Sequence, residues 1–169
     1  MIILLIVKSP EQTTTTVNRT NYTIQEIYEA IKGKNPAVYR DLIDDGETLD
    51  FVFTDGEWKN KTLLEFLVSM DDFEYAKKLV DNGFDLNKID NNHIDIVTGV
   101  IKYGHNHPYV NIIAKTLTEQ IESEIDKPDT FGFPLLFNAI SENNNELAEF
   151  IIEMVPDINK VYHGTTALA

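Results

Sequence analysis

Few residues of this chain have the type and spacing that catalysis or metal binding requires. His105 and His107 lie two positions apart, and such a pair binds a metal ion when carboxylates converge on it. Adjacent acids such as Asp71-Asp72 suit acid–base chemistry, but in a chain with 28 acidic residues they arise by chance and favour solvated turns. We therefore expect the two histidines to lie in a solvated polar loop, with no metal and no cofactor bound.

The sequence motifs of nucleophilic and phosphate chemistry are also missing. None of the eight glycines is followed by the Lys-Ser or Lys-Thr pair of a phosphate-binding loop, and no serine has the flanking glycines of a nucleophile elbow. With no cysteine, the chain has no thiol nucleophile, no disulfide and no zinc–thiolate site. The sequence therefore predicts a protein that is not an enzyme, with no catalytic, cofactor-binding or metal-binding residues.

The charge of the chain restricts its partners. Fourteen Lys and Arg stand against 28 Asp and Glu, which gives a formal net charge of −14. Affinity for nucleic acids and for anionic membranes comes largely from Lys and Arg, so we expect no direct nucleic acid and no membrane as partners. A negative field of this size raises the rate of encounter with a basic protein surface. We therefore expect the partner to be another protein with a basic surface.

The N-terminus carries an apolar segment, Ile2–Val7, whose six residues are too few for a secretory signal or a membrane helix. Its Ile and Val residues predict a short strand. Thr13–Thr16 predict a tether, so residues 1–20 are expected to form an N-terminal extension. The missing signal and the missing cysteines together favour the cytoplasm, or the cytosol of a host if the protein is a secreted effector.

The rest of the chain repeats one pattern of apolar residues. Gly132–Ile140 combine a glycine turn with an apolar helix face, and a second apolar stripe follows at Glu146–Met154. A similar order recurs upstream, where Thr62–Leu67 and Tyr75–Val80 precede Gly83–Asn87. The equivalent positions 23, 60, 93, 132 and 164 are separated by 37, 33, 39 and 32 residues. Neither helix of such a unit can bury its apolar face alone, so the pattern predicts units that stack.

These segments resemble the ankyrin repeat, whose units run G-x-T-P-L-H-x-A, a short loop, an amphipathic helix and G-A-D-V-N over about 33 residues. The resemblance implies an all-α, ankyrin-like solenoid of stacked helix pairs with hairpin-like fingers between them. It places the array at residues 21–169, with approximate units at 21–57, 58–90, 91–129 and 130–161 and a partial unit at 162–169. The family's His is replaced by Tyr28, Glu65, Thr98 and Phe137, which implies a looser array.

Two unit boundaries depart from the regular spacing. Large apolar residues occupy every second position before an Asp-Gly pair, at Leu49, Phe51 and Phe53. This pattern predicts a hairpin-like first finger. The six extra residues of the third unit are expected at Tyr103–Tyr109, between its two helices, with Pro108 at the first position of the second helix.

The fourth unit and the end of the chain carry further expectations. Gly132 is expected at positive φ, and Pro134 is expected in the first turn of a helix, where its missing N–H costs nothing. The chain stops at Ala169, inside the first helix of a fifth unit. We therefore expect it to be a fragment of a longer protein.

The resemblance implies a non-enzymatic module that binds another protein through its fingers and the concave face of its first helices. Aromatic side chains are enriched at binding hot spots, and the fingers carry rings and polar groups instead of the repeat's structural residues. The expected protein-binding residues are Trp58, Asn91, Asn92, Thr130, Phe131 and Tyr162. Trp58 is the expected anchor, and the alternative is that its ring packs on its own hairpin or on the next unit.

An acidic array without cysteine favours a cytosolic inhibitor or effector, of the immunity, phage counter-defence or pathogen effector type. One alternative is an acidic nucleic-acid mimic that blocks a nuclease or a DNA-binding protein, which requires carboxylates on one face at phosphate-like spacing. A second alternative is a regulatory repeat fragment of a larger enzyme.

Overall fold

The computed structural model describes residues 22–155, 161–162 and 165–166, and this part of the chain is almost entirely helical. Its eight α-helices are α1 (Ile24–Lys32), α2 (Ala37–Asp44), α3 (Leu63–Ser69), α4 (Phe73–Asp81), α5 (His93–Tyr103), α6 (Pro108–Gln120), α7 (Leu135–Ser141) and α8 (Asn145–Met154). Two strands, β1 (Val161–Tyr162) and β2 (Thr165–Thr166), pair antiparallel near the C-terminus. The prediction of an all-helical fold is confirmed, and the predicted extension at 1–20 lies outside the described residues.

Side chains at the helix starts explain where several helices begin. Thr23 and Thr62 each accept a hydrogen bond from the backbone N–H three residues later, and a Glu at that position, Glu26 or Glu65, bonds back to the threonine N–H. Each such capping box satisfies two backbone donors that the helix leaves unpaired. Pro108 occupies the first position of α6, as predicted.

The helices associate as successive pairs in two layers. A turn of three residues, 70–72, connects α3 to α4, and a turn of the same length, 142–144, connects α7 to α8. In one layer α3 packs against α5 and α5 against α7, while in the other α2, α4, α6 and α8 pack in series. Each helix is too short to be stable alone, so burial between the layers provides most of the stability. Fully buried examples from successive helices are Leu42, Leu63, Leu79, Val97, Ile113 and Leu147.

The predicted first finger is a loop with two single bridges, and no regular strand pair forms there. Leu49, Phe51 and Phe53 are all buried in the core. Isolated bridges join Val52 to Thr62 and Phe53 to Lys59. The loop is nevertheless hairpin-like, as predicted, because the Val52–Thr62 bridge is antiparallel and the Phe53 backbone hydrogen-bonds to both Asn60 and Lys61.

The predicted loop at Tyr103–Tyr109 lies between the two helices of the third pair, with His105 exposed in it, but it is shorter than predicted. The third pair has longer helices, with eleven residues in α5 and thirteen in α6, against seven in α3 and nine in α4. Only residues 104–107 form the turn between them. His107 is half-buried in this turn, where its ring stacks on Phe73 at 4.0 Å and its Nδ1 accepts a hydrogen bond from the Tyr109 N–H. The extra residues thus extend packed helices instead of a solvated loop.

The start of α7 confirms one prediction and corrects another. Gly132 has φ +89°, a conformation that residues with a Cβ rarely adopt. Pro134 lies one position earlier than predicted, because it is the residue before the first helical turn. No helix in the described ranges is long and apolar enough to cross a membrane.

Candidate functional site

A cleft of about 470 Å³ lies between the loops that precede α3, α5 and α7, with one face of α5 as its floor. The first loop contributes residues 59–61, the second contributes Asn91, and the third contributes residues 129–131. From α5 come Asp95, Thr98 and Gly99, with Lys102 and Tyr103 in its last turn. The regular spacing of the helix pairs sets these three loops side by side.

Three of the six predicted binding residues, Asn91, Thr130 and Phe131, lie in this cleft. Asn92 lies beside it and has a structural role, because its side chain caps α5 by accepting a hydrogen bond from the Ile94 N–H. Tyr162 forms part of β1, but its side chain lies outside the described part of the structure. Half of the predicted binding residues therefore line the cleft.

Trp58 does not line the cleft. Its ring is half-buried and packs edge-on against Phe66 of α3, with ring centroids 5.1 Å apart. This is the packing alternative to the expected anchor role, and edge-to-face pairs of this kind add about 0.5–1.5 kcal/mol beyond the area that they bury. A binding role for Trp58 stays a prediction.

Hydrogen bonds fasten each loop to its neighbour around the cleft. The Asn91 side chain donates from Nδ2 to the Asn60 carbonyl at 3.0 Å. Asp95 accepts from the Thr130 backbone N–H at 2.7 Å and from the Thr130 hydroxyl. Because these bonds join the second loop to the first and α5 to the third loop, the walls of the cleft hold their shape before a ligand arrives, which lowers the entropy lost on binding.

A buried carboxylate, Asp129, sets the conformation of the third loop. Asp129 is only 4% exposed. Its Oδ1 accepts hydrogen bonds from the backbone N–H groups of Phe131 and Phe133, both at 2.9 Å. Its Oδ2 accepts from Asn138 Nδ2 at 3.0 Å, and the same Asn138 amide donates to Thr98 Oγ1 at 3.2 Å. This network fixes the backbone on which Phe131 projects.

A second buried carboxylate, Glu65, lies at the cleft floor. Its side chain is 0% exposed, and its Oε2 accepts from the Thr62 N–H at 2.9 Å and the Thr62 hydroxyl at 3.1 Å. Its Oε1 accepts from Lys61 Nζ at 3.0 Å. Burial raises the pKa of Glu65, and the Thr62 and Lys61 donors offset only part of that rise.

Because Gly99 has no side chain, it leaves the space beside α5 that the Glu65 carboxylate occupies. A Cβ at position 99 would lie 2.5 Å from Glu65 Oε1 and 3.3 Å from Glu65 Cδ. Any other residue at this position would therefore force the carboxylate to shift. A glycine inside a helix costs about 1 kcal/mol relative to alanine, so this close approach explains a residue that is otherwise unfavourable there.

The rim of the cleft carries an exposed aromatic ring and two lysines. Phe131 is 74% exposed, and Lys102 Nζ lies 5.9 Å from the centre of its ring, within the range of a cation–π contact. Tyr103 is also exposed, and Lys59 lies on the opposite wall. An exposed aromatic ring beside a cleft can anchor a partner, because aromatic side chains are enriched at binding hot spots.

Sequence reasoning missed Lys59, Lys102 and Tyr103 as part of this site. The sequence did carry one signal, because an isolated glycine inside the apolar α5 pattern marks a close approach of another chain segment. Gly99 is that residue, and Lys102 and Tyr103 follow within one helical turn.

In residues 22–155, 161–162 and 165–166, no three His, Asp or Glu side chains are grouped closely enough to hold a metal ion. No protein-family model, no curated protein and no solved structure matches this chain. The geometry of the cleft is therefore the basis for assigning a function.

Proposed function

We propose that the chain is a divergent ankyrin-like solenoid that acts as a non-enzymatic protein-binding module. Four helix pairs with short turns, packed in two layers, support this proposal. So does the short antiparallel pair β1–β2, which lies at the finger position that follows the fourth unit. In such an array the loops between units and the first helices of the pairs form one continuous binding surface.

The observation that carries the proposal is Phe131 at the rim of the cleft. The ring is 74% exposed although its backbone is held rigidly by the buried Asp129. A rigid exposed aromatic ring loses little conformational entropy on binding and buries a large apolar area. The cleft adjoins it with amide, hydroxyl and ammonium groups that can align a partner's polar atoms.

The biological role that we propose is that of a cytosolic inhibitor or effector, which acts by occupying a surface of its partner. An array without catalytic groups acts by blocking the surface of the partner that it covers. Its effect therefore depends on how tightly it binds and on which surface it occupies. The inter-loop hydrogen bonds at Asn91 and Thr130 support a preformed surface of this kind.

The test compares three forms of the full chain as baits in extracts of the cells that naturally make the protein or are exposed to it. The forms are the wild type, Phe131→Ala and Met70→Ala. Met70 is the matched control because it is 62% exposed but lies at the turn between α3 and α4, outside the cleft. The proposal expects a protein that is captured by wild type and Met70→Ala and is lost with Phe131→Ala.

Two results would contradict the proposal. Capture that survives Phe131→Ala and fails with Met70→Ala would place the binding surface at the turns between the helices of each pair. Enzymatic turnover by the purified chain of any substrate bound in the cleft would show that the module is not merely a binding protein. Circular dichroism of each variant checks that the helical fold is unchanged.

A further inference from the structure

We propose that the apolar segment Ile2–Val7, which lies outside the described residues, docks into an apolar groove between the first two helix pairs. The groove has a volume of about 380 Å³ and lies where the turn between α1 and α2 meets the turn between α3 and α4. Its apolar lining comes from Ala30, Ile31, Pro36, Tyr39, Phe66 and Met70. The groove extends beyond the end of α3, whereas the cleft includes the loop that precedes α3, so this inference goes beyond the proposed function and does not depend on it.

The inner layer of helices is interrupted at its start. α3 packs against α5 and α5 against α7, whereas α1 packs on α2 and makes no comparable contact with α3. The loop between α2 and α3 fills part of the space, since the Phe53 ring lies beside Tyr28. The groove is the part that stays open, and in it Ile31 is half-buried and Met70 is 62% exposed. Apolar surface of α1 and α3 is therefore left in water, where an apolar occupant would stabilise it.

The charges around the groove favour a neutral occupant. Arg40 donates to Asp72 Oδ2 from Nη2 at 2.7 Å and from Nε at 3.2 Å, so these two groups already satisfy each other. Lys34 is exposed, and its long side chain can keep the ammonium in water when the groove is covered. A charged occupant would lose water without a free counter-charge, which is strongly disfavoured, whereas an apolar one leaves the Arg40–Asp72 pair intact.

Ile2–Val7 has the composition that this groove requires. All six residues are Ile, Leu or Val, and together with Met1 they form the longest uninterrupted apolar stretch of the sequence. A stretch of this kind gains free energy when its side chains leave water. Because it carries no charged side chain, it can enter the groove without leaving a buried charge unpaired.

The connection to α1 is long enough for this contact. Fourteen residues, 8–21, join Val7 to Tyr22, and at about 3.3 Å per residue an extended chain of that length spans about 46 Å. α1 has nine residues, a length of about 14 Å, and the groove lies at its C-terminal end. A tether with this slack keeps the segment near the groove at an effective concentration on the order of millimolar. The chain's own segment is therefore favoured over that of a second copy.

The test uses paramagnetic broadening of methionine methyl signals in the full chain. Because the chain has no cysteine, Lys8→Cys carries a nitroxide spin label at a single place beside the apolar segment. Met70 lies in the groove, and Met154 of α8, in the fourth pair, is the internal reference. We expect the Met70 methyl signal to lose most of its intensity and the Met154 signal to be unchanged.

The matched control carries the same label together with Leu4→Asp and Leu5→Asp. Adjacent residues of an extended segment point to opposite sides, so one of the two carboxylates faces the groove whichever side docks. That carboxylate would be buried without a partner, so the segment should leave the groove and the Met70 signal should recover. Recovery separates docking from the mere nearness of a label on a tether.

Four results would overturn the inference. An unchanged Met70 signal would show that the segment does not dock there, and equal losses at Met70 and Met154 would show that it has no preference for the groove. Equal loss at Met70 in the Asp control would show that only the tether brings the label near. Loss of the Met70 signal in chain without a spin label, when it is mixed with labelled chain, would show that a second copy supplies the segment. Each of these results leaves binding through Phe131 untouched.

Discussion

The contact between Gly99 and Glu65 gives the sharpest quantitative expectation. In an ordinary helix interior, Gly→Ala stabilises by about 1 kcal/mol. Here the new Cβ would lie 2.5 Å from Glu65 Oε1, so the buried carboxylate must shift, which weakens its bond to Lys61. A hydrogen bond to a charged group contributes about 1.5–3 kcal/mol, and disturbing the Thr62 cap costs about 1 kcal/mol more. We expect Gly99→Ala to destabilise the chain by about 1–3 kcal/mol, against the sign that helix propensity alone would give.

The assay is urea unfolding followed by far-ultraviolet circular dichroism for wild type, Gly99→Ala, Glu65→Ala and the double variant. Once Glu65 is truncated, the space beside position 99 is free, so Gly99→Ala should then stabilise by about 1 kcal/mol. The two backgrounds should therefore differ by about 2 kcal/mol or more, a coupling expected only for residues in contact. If Gly99→Ala stabilises equally in both backgrounds, the packing of Glu65 against α5 is refuted.

Three further substitutions test the surroundings of the cleft. Gly132→Ala should lower the free energy of unfolding by about 1–2 kcal/mol, because φ is +89° there; equal urea midpoints would contradict this. Glu65→Gln tests the raised pKa. Below the unfolded-state pKa of Glu both states of wild type are protonated; as pH rises toward the folded-state pKa, wild type should lose stability relative to Glu65→Gln. If the free energy of unfolding of wild type, relative to that of Glu65→Gln, stays constant or rises with pH in urea titrations, the raised pKa of Glu65 is contradicted. Trp58→Ala should lower the melting temperature, because it removes the ring packed on Phe66, and an unchanged melting temperature would show that the ring contributes no stability.

The helix pairs and three residues of the cleft were predictable from local pattern. Apolar residues at helical spacing, repeated at a near-constant interval, are sufficient to place α3, α4, α7 and α8. The same interval brings equivalent loop positions together, which is why Asn91, Thr130 and Phe131 meet in one cleft.

Tertiary packing decided the features that were mispredicted. Gly104 and Asn106 locally favour a loop that includes Tyr103, yet Tyr103 belongs to the last turn of α5. Trp58 occupies a loop position, and only the distant ring of Phe66 determines that it is half-buried.

The central claim is that the chain binds a protein through this cleft, and the most direct measurement is the affinity of the captured partner by titration calorimetry. The account predicts that Phe131→Ala weakens binding at least tenfold, or about 1.4 kcal/mol, and that Met70→Ala binds as wild type does. Wild-type affinity for Phe131→Ala would contradict it, whatever the affinity of Met70→Ala.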